Sequence, residues 1–193
     1  MNQTAFSLYF FIRDVAGGDL IRFVDRLIEA LPENASPREV HDGLVPPWKG
    51  IFGISDKVVS MALATLLLSA PASKPRWKVS GQRLIVIDTL VHNFLHRTGL
   101  NSYFGRPHSY GTACYEADGC FDVLDQLSNH VDARRFDANF PAYFPRFVQL
   151  AIWRFCSQSY WGLCNGLAID DSKRCRSRDC YLRSDCQRVA LKG

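Results

Sequence analysis

The segment Ile87-Asp88-Thr89-Leu90-Val91-His92-Asn93-Phe94-Leu95-His96-Arg97-Thr98-Gly99 decides how the chain reads. Asp88 stands where an N-cap belongs, with a carboxylate able to accept from the unpaired amides of a first helical turn. Leu90, Val91, Phe94 and Leu95 then recur at helical spacing, Arg97 puts a cation in the last turn, and Gly99 is the residue type that most readily ends a helix. A capped amphipathic helix is predicted here.

The flanking segments read the same way. Upstream, Ile54 to Ser69 is almost wholly apolar and predicts a buried central helix that begins near Ser55 or Asp56 and ends before Pro71. Phe6, Phe10, Phe11 and Ile12, followed beyond Gly17-Gly18 by Leu20, Ile21, Val24, Leu27, Ile28 and Leu31, predict two helical pieces. Between Pro32 and Gly50 loop is expected, apart from a short capped helix at Ser36-Pro37-Arg38-Glu39. Lys74 to Gln82 is polar, basic and contains a glycine, and reads as a loop excursion. Downstream, Asn101 to Gly119 reads as a long loop, and Phe121 to Asn129 and Phe144 to Gln158 as helices. No period-two alternation persists and no repeat of solenoid length is present, so the predicted class is all-α.

Composition bounds the rest. With 193 residues, 47% of them hydrophobic and 22% charged, the chain is long enough for one core with a small appendage, and neither disorder nor a coiled coil fits. No apolar run reaches the ~20 residues of a membrane span. Met1 to Arg13 lacks the basic start and small-residue cleavage site of a secretory signal, so the expected location is cytoplasmic, beside the nucleoid in a bacterium, and not secreted. Residues 172–193 carry 7 Lys/Arg against 2 Asp/Glu, which concentrates positive charge in the tail and points to a polyanion as partner.

Seven cysteines without a secretory signal suggest thiolates held by a metal rather than disulfides. Four of them form Cys164-x10-Cys175-x4-Cys180-x5-Cys186, separated by polar and basic residues that offer little to bury a free thiol. Four sulfurs suit either a tetrahedral zinc or a cubane cluster. Zinc ribbons usually show two C-x2-C knuckles, which are absent here, so a cluster is favoured and zinc is the alternative.

A second motif is Gly53-Ile54-Ser55-Asp56-Lys57, a glycine turn that feeds an apolar helix. Such a turn can offer backbone N–H groups to a phosphate. Lys57 falls in the helix's first turn, where the dipole opposes a cation and favours the neutral, nucleophilic amine. His92 and His96 have metal-capable i,i+4 spacing but lack the glutamate of a zinc protease motif, and read as a polar face. Cys114, Cys120 and Cys156 read as structural, and Arg146 and Gln149 as candidates for a pocket.

In this order, the glycine hairpin with its lysine, the apolar helix, the capped Ile87-Asp88-Thr89-Leu90 segment and the carboxyl-terminal four-cysteine loop resemble the helix-hairpin-helix DNA glycosylases of the endonuclease III type, over about residues 50–188. Ser55 stands in place of the family's second hairpin glycine, the interval from Lys57 to Asp88 is longer, and the part before the hairpin is shorter. The resemblance implies a helical glycosylase-like domain over 1–160 and an iron–sulfur loop with a basic tail over 161–193. It also implies Lys57 as nucleophile, Asp88 as the essential carboxylate, and a [4Fe-4S] cluster on Cys164, Cys175, Cys180 and Cys186. DNA contacts are expected from Gly53, Ser55, Lys173, Arg174, Arg176 and Arg178. The implied activity is that of a monomeric base-excision glycosylase with AP lyase activity, acting on double-stranded DNA that carries a damaged base or abasic site. The alternative is a non-catalytic iron–sulfur or zinc protein that binds DNA.

Overall fold

Gly17 and Gly18 both take positive φ, 68° and 81°, and so divide the amino-terminal apolar run. In the computed structural model, which describes residues 3–191, α1 (Gln3–Phe10) runs through a π-helical turn at Phe11–Val15 to these glycines, and α2 (Leu20–Glu29) begins after them. Asp19 caps α2 by accepting from the Arg22 amide at 2.9 Å. Ser36 starts α3 (Pro37–Leu44) with a capping box: its hydroxyl accepts from the Glu39 amide at 3.3 Å, and the Glu39 carboxylate accepts from the Ser36 amide at 2.7 Å. Phe11, Phe23 and Trp48 meet beside these helices, with ring centroids 5.0 Å apart for Phe11–Trp48 and 5.5 Å for Phe11–Phe23.

α4 (Asp56–Leu68) spans the predicted central helix but is buried along one face only. Val59, Leu63, Ala64 and Leu67 enter the core, whereas Val58, Met61 and Leu66 are exposed. The excursion expected at Lys74 to Gln82 is instead a helix, α5 (Pro75–Arg83), with Pro75 at its first position. Polarity hid it, because the face it buries consists of Trp77, Ser80 and Gly81. A Cβ at Gly81 would come within 2.9 Å of the Leu67 Cβ and 3.0 Å of the Leu68 amide, so the close approach of α5 to α4 requires glycine.

The chain divides into two compact units at Val86–Ile87. The second opens with α6 (Thr89–Thr98), capped by Asp88 as predicted, whose side chain accepts from the Val91 amide at 2.9 Å. Gly99 ends α6 at φ 89°. The expected long loop contains α7 (Leu100–Phe104) and a 3-10 turn at Thr112–Tyr115, followed by α8 (Cys120–Asn129) and α9 (Pro145–Cys156). α9 packs against both α6 and α8, and the Phe94 and Phe155 rings lie 5.8 Å apart.

Residues 157–191 contain neither helix nor strand, yet they belong to this unit. The amides of Gln187 and Val189 donate to the carbonyls of Thr98 (3.1 Å) and Arg97 (2.9 Å), which draws the returning chain along the end of α6. The division therefore lies at Val86–Ile87, and the boundary expected at 160/161 falls inside the second unit. Every regular element among the described residues is helical, in keeping with the all-α class, and none of these helices is long and apolar enough to cross a membrane.

In the first unit Asp25 joins α2 to α5. Lys74 Nζ donates to both of its carboxylate oxygens at 2.6 and 2.7 Å, and Trp77 Nε1 donates at 2.7 Å. The Lys74 bond, and after it the Trp77 bond, hold the Asp25 pKa below its ordinary value against desolvation. A depressed carboxylate pKa contributes stability above the unfolded value of about 4 and loses it as pH falls through the lower folded value. Because both side chains are roughly a third exposed, screening limits the effect. Asp25→Asn is expected to cost about 1 kcal/mol in denaturant unfolding at neutral pH. The gap to the parent should close in acid; a gap independent of pH would assign the loss to packing.

Candidate metal centres and active-site residues

Beyond α9 the chain turns on Asn165. Its Nδ2 donates to the Cys156 carbonyl at 2.6 Å, and its Oδ1 accepts from the Leu167 and Ala168 amides at 2.9 and 3.2 Å. This turn presents Cys164 to a cavity that Cys175, Cys180 and Cys186 also line. Cys164 and Cys175 are buried, and Cys180 and Cys186 half-buried. The expectation that this loop offers little apolar cover is corrected here: Phe94, Phe155 and Ile169, all buried, wall the same cavity.

Arg97 and Arg188 line the cavity too. Arg97 is 1% exposed; its Nη2 binds the Asp171 carboxylate, while its Nε and Nη1 are buried without a hydrogen-bond partner, as is Nε of Arg188. A hydrogen bond with Cys156, aided by the charge of Arg97, holds the Cys164 thiol below its ordinary pKa against burial. Burial and the three other thiols push Cys186 up. Arg97, which also hydrogen-bonds the Cys164 thiol, and Arg188 line the cavity of the four thiols, and this set of cations and sulfurs fits a thiolate-ligated centre that carries negative charge.

Gly53 takes φ 73°, which makes the expected glycine turn before α4. Ser55 is extended at the N-cap of α4 but makes no side-chain capping bond. Lys57 is half-buried in the first turn, and its neighbour Asp56 pairs with Lys49 at 3.3 Å. Lys57 belongs to the first unit and Asp88 to the second. Around Asp88, burial pushes the Tyr110 phenol up and the carboxylate's charge adds to this; burial also pushes the Arg146 guanidinium down, and Asp88 opposes it. Arg146 in turn donates to buried Gln149. Lys173, Arg174, Arg176 and Arg178 are all exposed, with Lys173 paired to Asp170 at 2.8 Å.

The structure also assembles a set that the sequence reading took one residue at a time. His92 and His96 share a face of α6, His108 follows α7, Cys114 sits in the 3-10 turn and Cys120 begins α8. One donor atom from each of His92, His96, His108 and Cys120 lies within 4.8 Å of all the others, a group able to hold a metal ion. Cys114 Sγ and Cys120 Sγ are each 3.3 Å from His92 Nδ1, and Cys120 Sγ is 3.3 Å from His108 Nε2. Asn101 Nδ2 lies 2.5 Å from His96 Nε2 and donates to Cys120 Sγ at 3.4 Å. Burial first, and then His92 and His108, push the His96 pKa down to about 4. Cys114 is held low by its hydrogen bond with Cys120, and Cys120 is pushed up by the same bond and by burial. The signal was present in the sequence as H-x3-H-x11-H-x5-C-x5-C, five donors between residues 92 and 120, and was missed because each pair was weighed separately.

No family model, curated protein or solved structure matches the chain.

Arg97 and Arg134 give a direct comparison of buried and exposed ion pairs. Arg97→Leu leaves Asp171 without its buried partner and is expected to cost about 3 kcal/mol in chemical unfolding. Arg134→Leu breaks the Asp132 pair, in which the Arg134 side chain is 60% exposed, and should leave the unfolding midpoint nearly unchanged. Equal costs would remove Arg97 from its structural role.

Proposed function

We propose that the chain is a DNA base-excision glycosylase of the helix-hairpin-helix, endonuclease III-like kind, with AP lyase activity. The observation that carries this reading is the convergence of Cys164, Cys175, Cys180 and Cys186 on one cavity that Arg97 and Arg188 also line. This is the donor set that the sequence resemblance implies. The positive φ of Gly53 ahead of α4 and the capping role of Asp88 support it further.

In this reading the substrate is double-stranded DNA with a damaged base or abasic site, and the target nucleotide leaves the stack at a cost of a few kcal/mol. Asp88 stabilises the positive charge that develops on the sugar as the bond between C1′ and the base breaks. Lys57 Nζ attacks C1′ and displaces the base, which leaves with a proton; the C1′–O4′ bond then opens to give an imine, and removal of a C2′ proton drives β-elimination that breaks the 3′ C–O bond and releases the 3′ phosphate. A [4Fe-4S] cluster on the four cysteines, with zinc as the alternative occupant, would cross-link the loop and supply no chemical step. The exposed Lys173, Arg174, Arg176 and Arg178 then meet phosphates, and Gly53 and Ser55 offer backbone N–H groups to them. A second reading, a non-catalytic DNA-binding metal protein, draws on the division of Lys57 and Asp88 between two units.

Protein purified without oxygen is expected to be brown and to contain about four iron and four sulfide per chain; stoichiometric zinc without sulfide at these cysteines would exclude the cluster. Borohydride added during reaction with abasic-site DNA should trap a covalent adduct, and Lys57→Ala should lose the adduct while still binding DNA. Asp88→Asn should keep the cap, since asparagine caps about as well as aspartate, yet slow excision by roughly a hundredfold or more. Binding with no excision or trapping in the parent protein selects the non-catalytic reading. Arg174→Ala with Arg176→Ala should weaken binding to unrelated duplexes equally and flatten the slope of log affinity against log salt.

A further inference from the structure

We propose that Cys114, Cys120, His92 and His108 bind a structural zinc ion, at a site separate from the four-cysteine cavity. This inference does not rest on the glycosylase reading. Tetrahedral zinc with sulfur bonds of about 2.3 Å and nitrogen bonds of about 2.0 Å sets its N and S ligands about 3.5 Å apart. The contacts of His92 Nδ1 with both sulfurs and of His108 Nε2 with Cys120 Sγ, each 3.3 Å, have this length.

Hydrogen bonding alone accounts poorly for the cluster. A neutral imidazole has one N–H, and His92 Nδ1 lies equally close to two sulfurs. Among the described residues the donor group contains no carboxylate, so its crowded imidazoles and thiols have chiefly one another as partners. A divalent ion would satisfy all these atoms at once, releasing the thiol protons as it binds.

The compact group is His92, His96, His108 and Cys120, Cys114 Sγ joins it through His92 Nδ1, and charge selects four ligands from these five donors. Two thiolates and two neutral imidazoles around Zn2+ make a site with no net charge, whereas one thiolate and three imidazoles leave +1 to be buried. His92 and His108 are the imidazoles in contact with sulfur, while His96 Nε2 faces Asn101. His96 is therefore placed outside the ligand set. Asn101, fully buried, donates to Cys120 Sγ and would orient a thiolate there. Four protein ligands close the coordination shell and leave no position for substrate, so the ion's role is to fasten α6, the segment after α7, the 3-10 turn and the start of α8.

The test is metal analysis of the full chain, purified without a metal-affinity column or chelator. About one zinc per chain is expected, in addition to any iron. Zinc should persist in Cys175→Ser with Cys180→Ser, and fall at least tenfold in Cys114→Ser with Cys120→Ser. Because Cys114 and Cys120 are both fully buried and their replacement costs stability, the parent protein refolded with Co2+ provides a second readout: a thiolate-to-cobalt charge-transfer band and the intense visible bands of tetrahedral cobalt. His108→Ala should weaken these bands and His96→Ala should keep them. Folded parent protein with no zinc and no charge-transfer band overturns the proposal, as does zinc that is lost with Cys175 and Cys180 but kept without Cys114 and Cys120. Iron retained in the Cys175→Ser, Cys180→Ser protein overturns the choice of zinc.

Discussion

The buried guanidinium of Arg97 is the constraint on which the second unit depends. Removing such an ion from water costs several kcal/mol, and its charged partner is the carboxylate of Asp171. Arg97 also hydrogen-bonds the Cys164 thiol and lines the cavity of Cys164, Cys175, Cys180 and Cys186. With neutral thiols that cavity would leave the cation with one counter-ion; with thiolates around a metal, cation and anion balance in a dry interior. The path of residues 157–191, the ionisation of the four thiols and the burial of Arg97 are thus a single physical problem. Gly99 belongs to it too, because its φ of 89° ends α6 where the returning segment crosses and where the Gln187 side chain rests against it.

α6 links this problem to two others. Its cap is Asp88; one face carries His92 and His96; another carries Phe94 against Phe155; and its last turn carries Arg97. Residues four apart share a face and residues five apart do not, so His92 and His96 turn together to one cluster while Arg97 turns away to the other. Ten residues therefore serve two groups of thiols without bringing them together. A rotation of this helix would disturb both at once, which is why its two ends are so firmly set, by a side-chain cap at Asp88 and a left-handed glycine at Gly99.

What the sequence disclosed follows from the range over which each signal acts. The caps of α3 and α6, the break at Gly17-Gly18 and the turn at Gly53 are decided by three or four neighbouring residues, and the structure has them where they were expected. α5 escaped notice because its stability comes from a tight approach to α4 through Gly81 and from the Asp25 contacts of Lys74 and Trp77, none visible in a local hydrophobic count. The convergence of His92, His108, Cys114 and Cys120 was hidden for the same reason, since α7, the 3-10 turn and the start of α8 must fold before the spacing acquires meaning. The four carboxyl-terminal cysteines were legible as a set because their spacers are short, but their guanidinium lining was not: Arg97 lies 67 positions before Cys164 and was read only as a favourable charge at a helix end.

The distribution of regular structure explains why thiols carry so much of this unit. From residue 157 to 191 there is no helix or strand, far longer than the loops of about 15 residues that folded domains ordinarily tolerate without internal order. Backbone bonds such as Val189 to Arg97 and Leu191 to Asp171 tie only a few points of this segment. Small structures of this kind are usually fastened by disulfides or metals, and all seven cysteines here are free of disulfides. Metal ligation supplies a strong cross-link through groups that need not be oxidised, and it suits segments whose own side chains are too polar to collapse. Arg174, Arg176 and Arg178 stay in water while Cys175 beside them folds inward.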